Sequence, residues 1–146
     1  MRHTNLQDLL YLCDHLREEE KDQYVIAHKK PFNAKEFANH CWTVPGPKFT
    51  VLRYGDIPCA AGGVAYLGPG TFGLWIVSTP QSWDFQAKSV TKAAKWLADA
   101  AFEQGARKVI TYELENRVSA MNWLERSLGM KRESSTNGLA LYARGN

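Results

Sequence analysis

Leu6, Leu9, Leu10, Cys13 and Leu16 recur at helical spacing and predict an amphipathic helix to about residue 20. Thr4-Asn5-Leu6-Gln7 in front of it reads as a capping box, with Thr4 capping and Gln7 reaching back. The polar run Arg17 to Asp22 reads as the far end of that helix, either solvated or in contact with a partner. Asn33-Ala34-Lys35-Glu36 repeats the capping pattern and opens a short helix through Phe37 and Cys41 to Trp42, which Pro45-Gly46-Pro47 stops. The period then changes to two. Phe49 to Tyr54 alternates, Gly55-Asp56 turns the chain, and Pro58 to Tyr66 predicts a second strand with a bulge at Gly62-Gly63.

Phe72 to Val77 is almost wholly apolar, as expected of a strand covered on both faces. After Thr79-Pro80, Val90, Ala93, Ala94, Leu97, Ala101 and Phe102 line one side of a helix from about Trp83 to Gln104, with Gly105 at its C′ position. Lys108 to Tyr112 predicts a strand, and Val118 to Leu128 a helix ended by Gly129. Met130 to Thr136 and Leu139 to Ala143 predict a hairpin, because Asn137-Gly138 suits the two positive φ values of a type I′ turn. This order implies one α/β (α+β) domain over 1–146, with a mixed, mostly antiparallel sheet, helices on both faces and a C-terminal β-hairpin.

Composition narrows the function classes. A chain of 146 residues with 45% hydrophobic and 23% charged residues is a globular profile. The net charge of +3 comes from scattered lysines and arginines, which argues against a nucleic-acid surface. Three cysteines without C-x-x-C spacing (Cys13, Cys41, Cys59) read as buried free thiols, and the four histidines make no metal-binding pattern, so no metal is expected. No apolar run approaches the length of a membrane span, and the first residues lack a signal-peptide core. Nothing in the pattern speaks to oligomeric state.

Three places carry a resemblance to a known superfamily: Leu74 to Val77 leading into the long helix, Val109 to Tyr112 followed by Asn116, and Ala120 to Met130. Their order resembles the GNAT (Gcn5-related N-acetyltransferase) fold. Met130 replaces the phenylalanine that usually follows the closing glycine. A narrower likeness runs from Leu16-Arg17-Glu18-Glu19-Glu20-Lys21-Asp22, similar to an "LRxxDxxE" opening, through Gly55 to Gly63, similar to "G-x-P-x-x-x-x-G", and Trp75 to Thr79. With Asn116 and Trp123-Leu124 it resembles a phage-encoded GNAT-like family that includes the small internal virion protein of short-tailed phages.

The resemblance implies acetyl-CoA as a substrate, held beside Val77 on the central strand, with its phosphates at Gln86, Ala87 and Lys88 and a further hydrogen bond from Asn116. Anions favour a helix N-terminus because unpaired N–H groups and the dipole face them there. The stretch from Pro80 to Ser89 holds no glycine, and Asp84 adds a negative charge, so a plainly capped helix start is the other reading. Asn116 also reads as a helix cap, the role asparagine prefers. Ser78-Thr79 reads as a cap, Cys59 as inert, and Tyr112 and Tyr142 as packed aromatics. The central strand carries no carboxylate for the general base; Glu113 and Glu115, after the next strand, read as surface spectators, the other reading being a base that acts through water. No catalytic residue is assigned. The resemblance thus points to a phage or prophage protein of the virion or host cytoplasm, with a degraded acetyl-CoA site. It would bind virion or host proteins through exposed aromatics among Trp42, Trp83 and Trp123. The alternative is an active N-acetyltransferase acting on a small amine or a protein amine.

Overall fold

A computed structural model describes residues 2–145, apart from the side chains of residues 84 and 85. Helix α1 spans Leu6–Asp14, and Asn5 rather than Thr4 caps it. The Asn5 side chain accepts from the Asp8 N–H at 2.9 Å, and the Asp8 carboxylate accepts from the Asn5 N–H in return. The capping box is therefore present one residue later than the sequence suggests. Arg17 is extended, and its N–H donates to the Ser78 carbonyl at 3.2 Å. A separate helix α2, Glu18–His28, starts behind it. Charge explains the correction. Glu18, Glu19 and Glu20 oppose the dipole at a helix C-terminus and favour it in a first turn.

Helix α3, Ala34–Thr43, starts where expected, with Asn33 accepting from the Glu36 N–H at 2.9 Å. The strands are β1 (Arg2–His3), β2 (Lys48–Arg53), β3 (Ile57–Gly68), β4 (Thr71–Ser78), β5 (Lys108–Leu114), β6 (Lys131–Thr136) and β7 (Leu139–Gly145). They form one seven-stranded sheet in the order β1-β2-β3-β4-β5-β7-β6. Only β4 and β5 run parallel; the other neighbours are antiparallel. Asn137 and Gly138 carry φ of 55° and 85°, the geometry read from the Asn-Gly pair.

The long helix resolves into α4 (Pro80–Phe85) and α5 (Ala87–Glu103), which meet at Gln86. Proline at the first helical position explains the early start, since its fixed φ suits that place. Leu97 and Ala101 of α5 pack on Val64, Leu74 and Val109 of the sheet; Leu124 of helix α6 (Val118–Arg126) joins them. The other face is covered by α1 and α3, where Leu9, Leu12, Cys13 and Cys41 meet Ala61 and Val77. All three cysteines are free and buried.

Gly62 and Gly63 make no bulge. Both lie in regular pairing with Ile76 and Trp75, and the register shifts fall at Val51/Leu52 and Tyr66/Gly68. A Cβ on Gly63 would stand 2.8 Å from the Trp75 indole, so the glycine makes room for that ring. Gly63→Ala is expected to displace Trp75 and cost about 1–3 kcal/mol, read as a lower midpoint in urea at unchanged slope.

Candidate active site between strands β4 and β5

Strands β4 and β5 pair through Thr71–Lys108, Phe72–Val109 and Gly73–Ile110, and then diverge. The divergence opens a cavity of about 500 Å³. Its walls come from α2, the ends of β4 and β5, α4 and α6. The side chain of Gln23 on α2 donates to the Tyr112 carbonyl at 3.0 Å and so ties that helix to β5 beside the opening.

Glu20 enters the cavity from α2. Ser78, the last residue of β4, donates its N–H to one Glu20 oxygen at 3.0 Å and its hydroxyl to the other at 2.6 Å. Burial pushes the Glu20 carboxyl up to about 8. The Ser78 bonds and the Arg17 and Arg117 charges pull it back without cancelling that effect. A carboxyl titrating near neutrality is suited to exchange protons at physiological pH.

The roof of the cavity is aromatic. Trp83 and Trp123 meet edge to face with centroids 5.0 Å apart. Trp83 donates its indole N–H to the Ser78 hydroxyl oxygen at 3.1 Å, and Trp123 donates to Thr91 of α5 at 2.8 Å. The Arg17 guanidinium lies over the Trp83 ring, 5.8 Å from its centroid. Opposite, Glu113 of β5 accepts from Arg117 at 2.9 Å and from the Leu114 N–H at 3.0 Å. Burial raises the Glu113 carboxyl, and Arg117 opposes the rise.

Several sequence readings change here. Glu113 is a mostly buried, paired group in the cavity wall, whereas Glu115 is an outer carboxylate bonded to Arg132. Tyr112 is half exposed on the cavity lip instead of packed; Tyr142 is buried as expected. Trp83 and Trp123 line the cavity, while Trp42 stays on the surface. Ser78 is a donor to Glu20, and Thr79 at the N-cap of α4 turns its hydroxyl to the Cys59 carbonyl instead of capping. Burial raises the Cys59 thiol, in keeping with an inert residue.

The residues assigned to acetyl-CoA lie around this cavity, not on its walls. Val77 is buried on the α1 and α3 side of β4. Gln86 occupies the α4–α5 junction, with Ala87 and Lys88 in the first turn of α5, and the Gln86 side chain at the N-cap position makes no capping bond. Asn116 is exposed in the turn before α6, and Arg117 holds the N-cap position there. The Asp84 side chain lies outside the described residues.

Glu20 was not singled out by the sequence reading. Two signals pointed to it: three acidic residues in a row suit a helix start, and the "LRxxDxxE" spacing falls on Leu16, Arg17, Glu20 and Gln23. The last three all face the cavity. Among the described residues, no group of His, Cys, Asp and Glu could hold a metal ion, and no helix is long and apolar enough to cross a membrane.

Comparison with solved structures places this geometry. A GNAT-family acetyltransferase from Bacillus anthracis superposes with a TM-score of 0.70 at 18% identity, over 99% of this chain and 92% of that one. The chain has the GNAT fold. A GNAT-family acetyltransferase from Staphylococcus aureus Mu50 gives 0.73 at 12% identity, over 98% and 96% of the two chains. A GNAT-superfamily phosphinothricin acetyltransferase from Sinorhizobium meliloti, solved with acetyl-CoA, gives 0.68 at 16% identity over 99% and 86%. No protein-family model matches the chain, and no curated protein matches it.

Proposed function

We propose that this protein is an acyl-CoA-dependent N-acyltransferase in which Glu20 is the general base. The observation that carries the reading is the Glu20 carboxyl itself, set in the wall of the β4–β5 cavity and bonded through both oxygens to the Ser78 N–H and hydroxyl, where burial pushes it up to about 8. An amine must lose a proton to attack a thioester carbonyl; Glu20 accepts it as the C–N bond forms, the C–S bond breaks, and the coenzyme A thiolate leaves to take up a proton from solvent. Beyond Gly73 the β5-facing edge of β4 has no ladder partner, and short of Ser78, whose N–H and carbonyl bond Glu20 and Arg17, that edge can hydrogen-bond the amides of a pantetheine arm. The first turn of α5, to which the N-cap residue Gln86 gives no side-chain bond, and the Lys88 ammonium suit phosphate oxygens. The acetyl-CoA complex of the Sinorhizobium meliloti enzyme supports this choice of acyl donor.

A second reading has its own support. The glycine-free stretch after β4 forms the helix α4, and Gln86, Ala87 and Lys88 stand off the cavity. In this reading the scaffold is retained without efficient catalysis, in a phage or prophage protein of the virion or host cytoplasm that contacts other virion or host proteins.

Isothermal titration with acetyl-CoA separates the two. The enzyme reading expects micromolar binding that Lys88→Glu weakens at least tenfold by charge reversal, together with turnover of a small primary amine. No heat of binding at millimolar acetyl-CoA favours the second reading.

A further inference from the structure

The Trp83 indole, the Ser78 hydroxyl and the Glu20 carboxylate form a chain of hydrogen bonds: 3.1 Å from Trp83 Nε1 to Ser78 Oγ, then 2.6 Å from Ser78 Oγ to Glu20 Oε2. Its direction has a chemical cause. An indole N–H can only donate, so the Ser78 oxygen facing it accepts. The hydroxyl proton is then directed to Glu20, where the Ser78 backbone N–H already donates at 3.0 Å. Ser78 is only 1% exposed, so water offers that hydroxyl no rival acceptor. Resting on the reading of Glu20 as the base, we propose that Trp83 is a positioning residue for it: the indole N–H sets the polarity of Ser78, which aims the Glu20 carboxylate and favours its ionised form.

Other charges face Glu20 as well. Arg17 at the head of α2 and Arg117 at the head of α6 favour its anion. Glu113 on β5 shares both arginines. The Cys13 thiol on α1 feels the Glu20 charge and is itself pushed up to about 12, chiefly by burial, so it stays neutral. None of these groups fixes a hydrogen-bond direction at the carboxylate. Trp83 does so through a contact that ring packing alone would not require.

The test is a carbon-13 NMR titration of side-chain carboxyls in the full chain, with Glu20 assigned by its loss in Glu20→Gln. Trp83→Phe keeps the ring and deletes the N–H. It should raise the Glu20 pKa by about half a unit, and Ser78→Ala by about one unit, the scale of a charge-assisted hydrogen bond. Ser78→Thr keeps the hydroxyl and should restore the wild-type value. The alkaline rise in turnover should move by the same amounts. A purely structural tryptophan would lower the melting temperature and leave the titration in place. A wild-type value near 8 that Trp83→Phe leaves unmoved, or lowers, overturns this proposal alone. The expected shifts without any turnover overturn the enzyme reading alone. A wild-type value in the ordinary carboxylate range overturns both.

Discussion

Glu20→Gln is expected to lower kcat by about two to four orders of magnitude, the usual contribution of a positioned general base. Glutamine keeps the length and one oxygen for the Ser78 N–H, and its NH2 can donate to the Ser78 oxygen once that hydroxyl turns, so the helix α2 start and the cavity shape survive. What disappears is the ability to take a proton. The wild-type rate should rise with pH and level off above about 8, because the carboxyl must be ionised to act. At pH 7 the ionised form is the minority. The variant should lose this limb.

The same substitution makes an opposite prediction for stability. Glu20 binds its proton more tightly in the folded chain, about 8 against an ordinary 4.5. The folded state therefore holds more protons than the unfolded one between these values, and stability falls as pH rises through that window. Glu20→Gln removes this loss. The variant should be more stable than wild type at pH 8 by about 1–3 kcal/mol, and should gain little at pH 5. Thermal melts at both pH values check this. A residue kept for packing alone would not gain stability on substitution while losing turnover.

How much of this was legible depends on range along the chain. The turn at Asn137-Gly138, the apolar face of α5 and the glycine after it are local signals, and each stands where the pattern puts it. Order and spacing of such elements sufficed for the GNAT fold. The site is assembled differently. Glu20 meets Ser78 across 58 residues, and Trp123 meets Thr91 across 32. Periodicity cannot report a contact of that kind. The acidic run Glu18 to Glu20 does suit a helix start, and reading it as a helix end is what hid Glu20. The glycine pair at Gly62-Gly63 shows the same limit. A glycine in a strand signals either a bulge or a close approach, and only the Trp75 indole on the next strand decides which.

Asp8→Ala is expected to cost about 2–3 kcal/mol, and the reason contrasts with Glu20. Burial alone would raise the Asp8 carboxyl, but bonds from Arg2, Thr50 and the Asn5 N–H outweigh it and hold the group below its usual range. The Arg2 guanidinium grips both oxygens, and the fully buried Thr50 hydroxyl donates at 2.8 Å. One side chain thus joins β1, the head of α1 and β2. Alanine leaves the Asn5 N–H and the buried Thr50 hydroxyl without this acceptor, although Thr50 keeps Thr4 at 3.0 Å. Arg2 is 40% exposed, so its charge returns to water and limits the loss. The melting temperature should fall by roughly 5–10 °C near neutral pH. Because the folded pKa is depressed, this stabilisation is present above the ordinary carboxylate value and is lost as pH falls through the folded one. The gap between wild type and variant should therefore close in acid, while the gap set by Glu20 opens toward alkali. The two carboxylates differ in what surrounds them: Asp8 has enough donors to stay charged and holds the fold, whereas Glu20 has too few to overcome its burial and is left poised to exchange a proton.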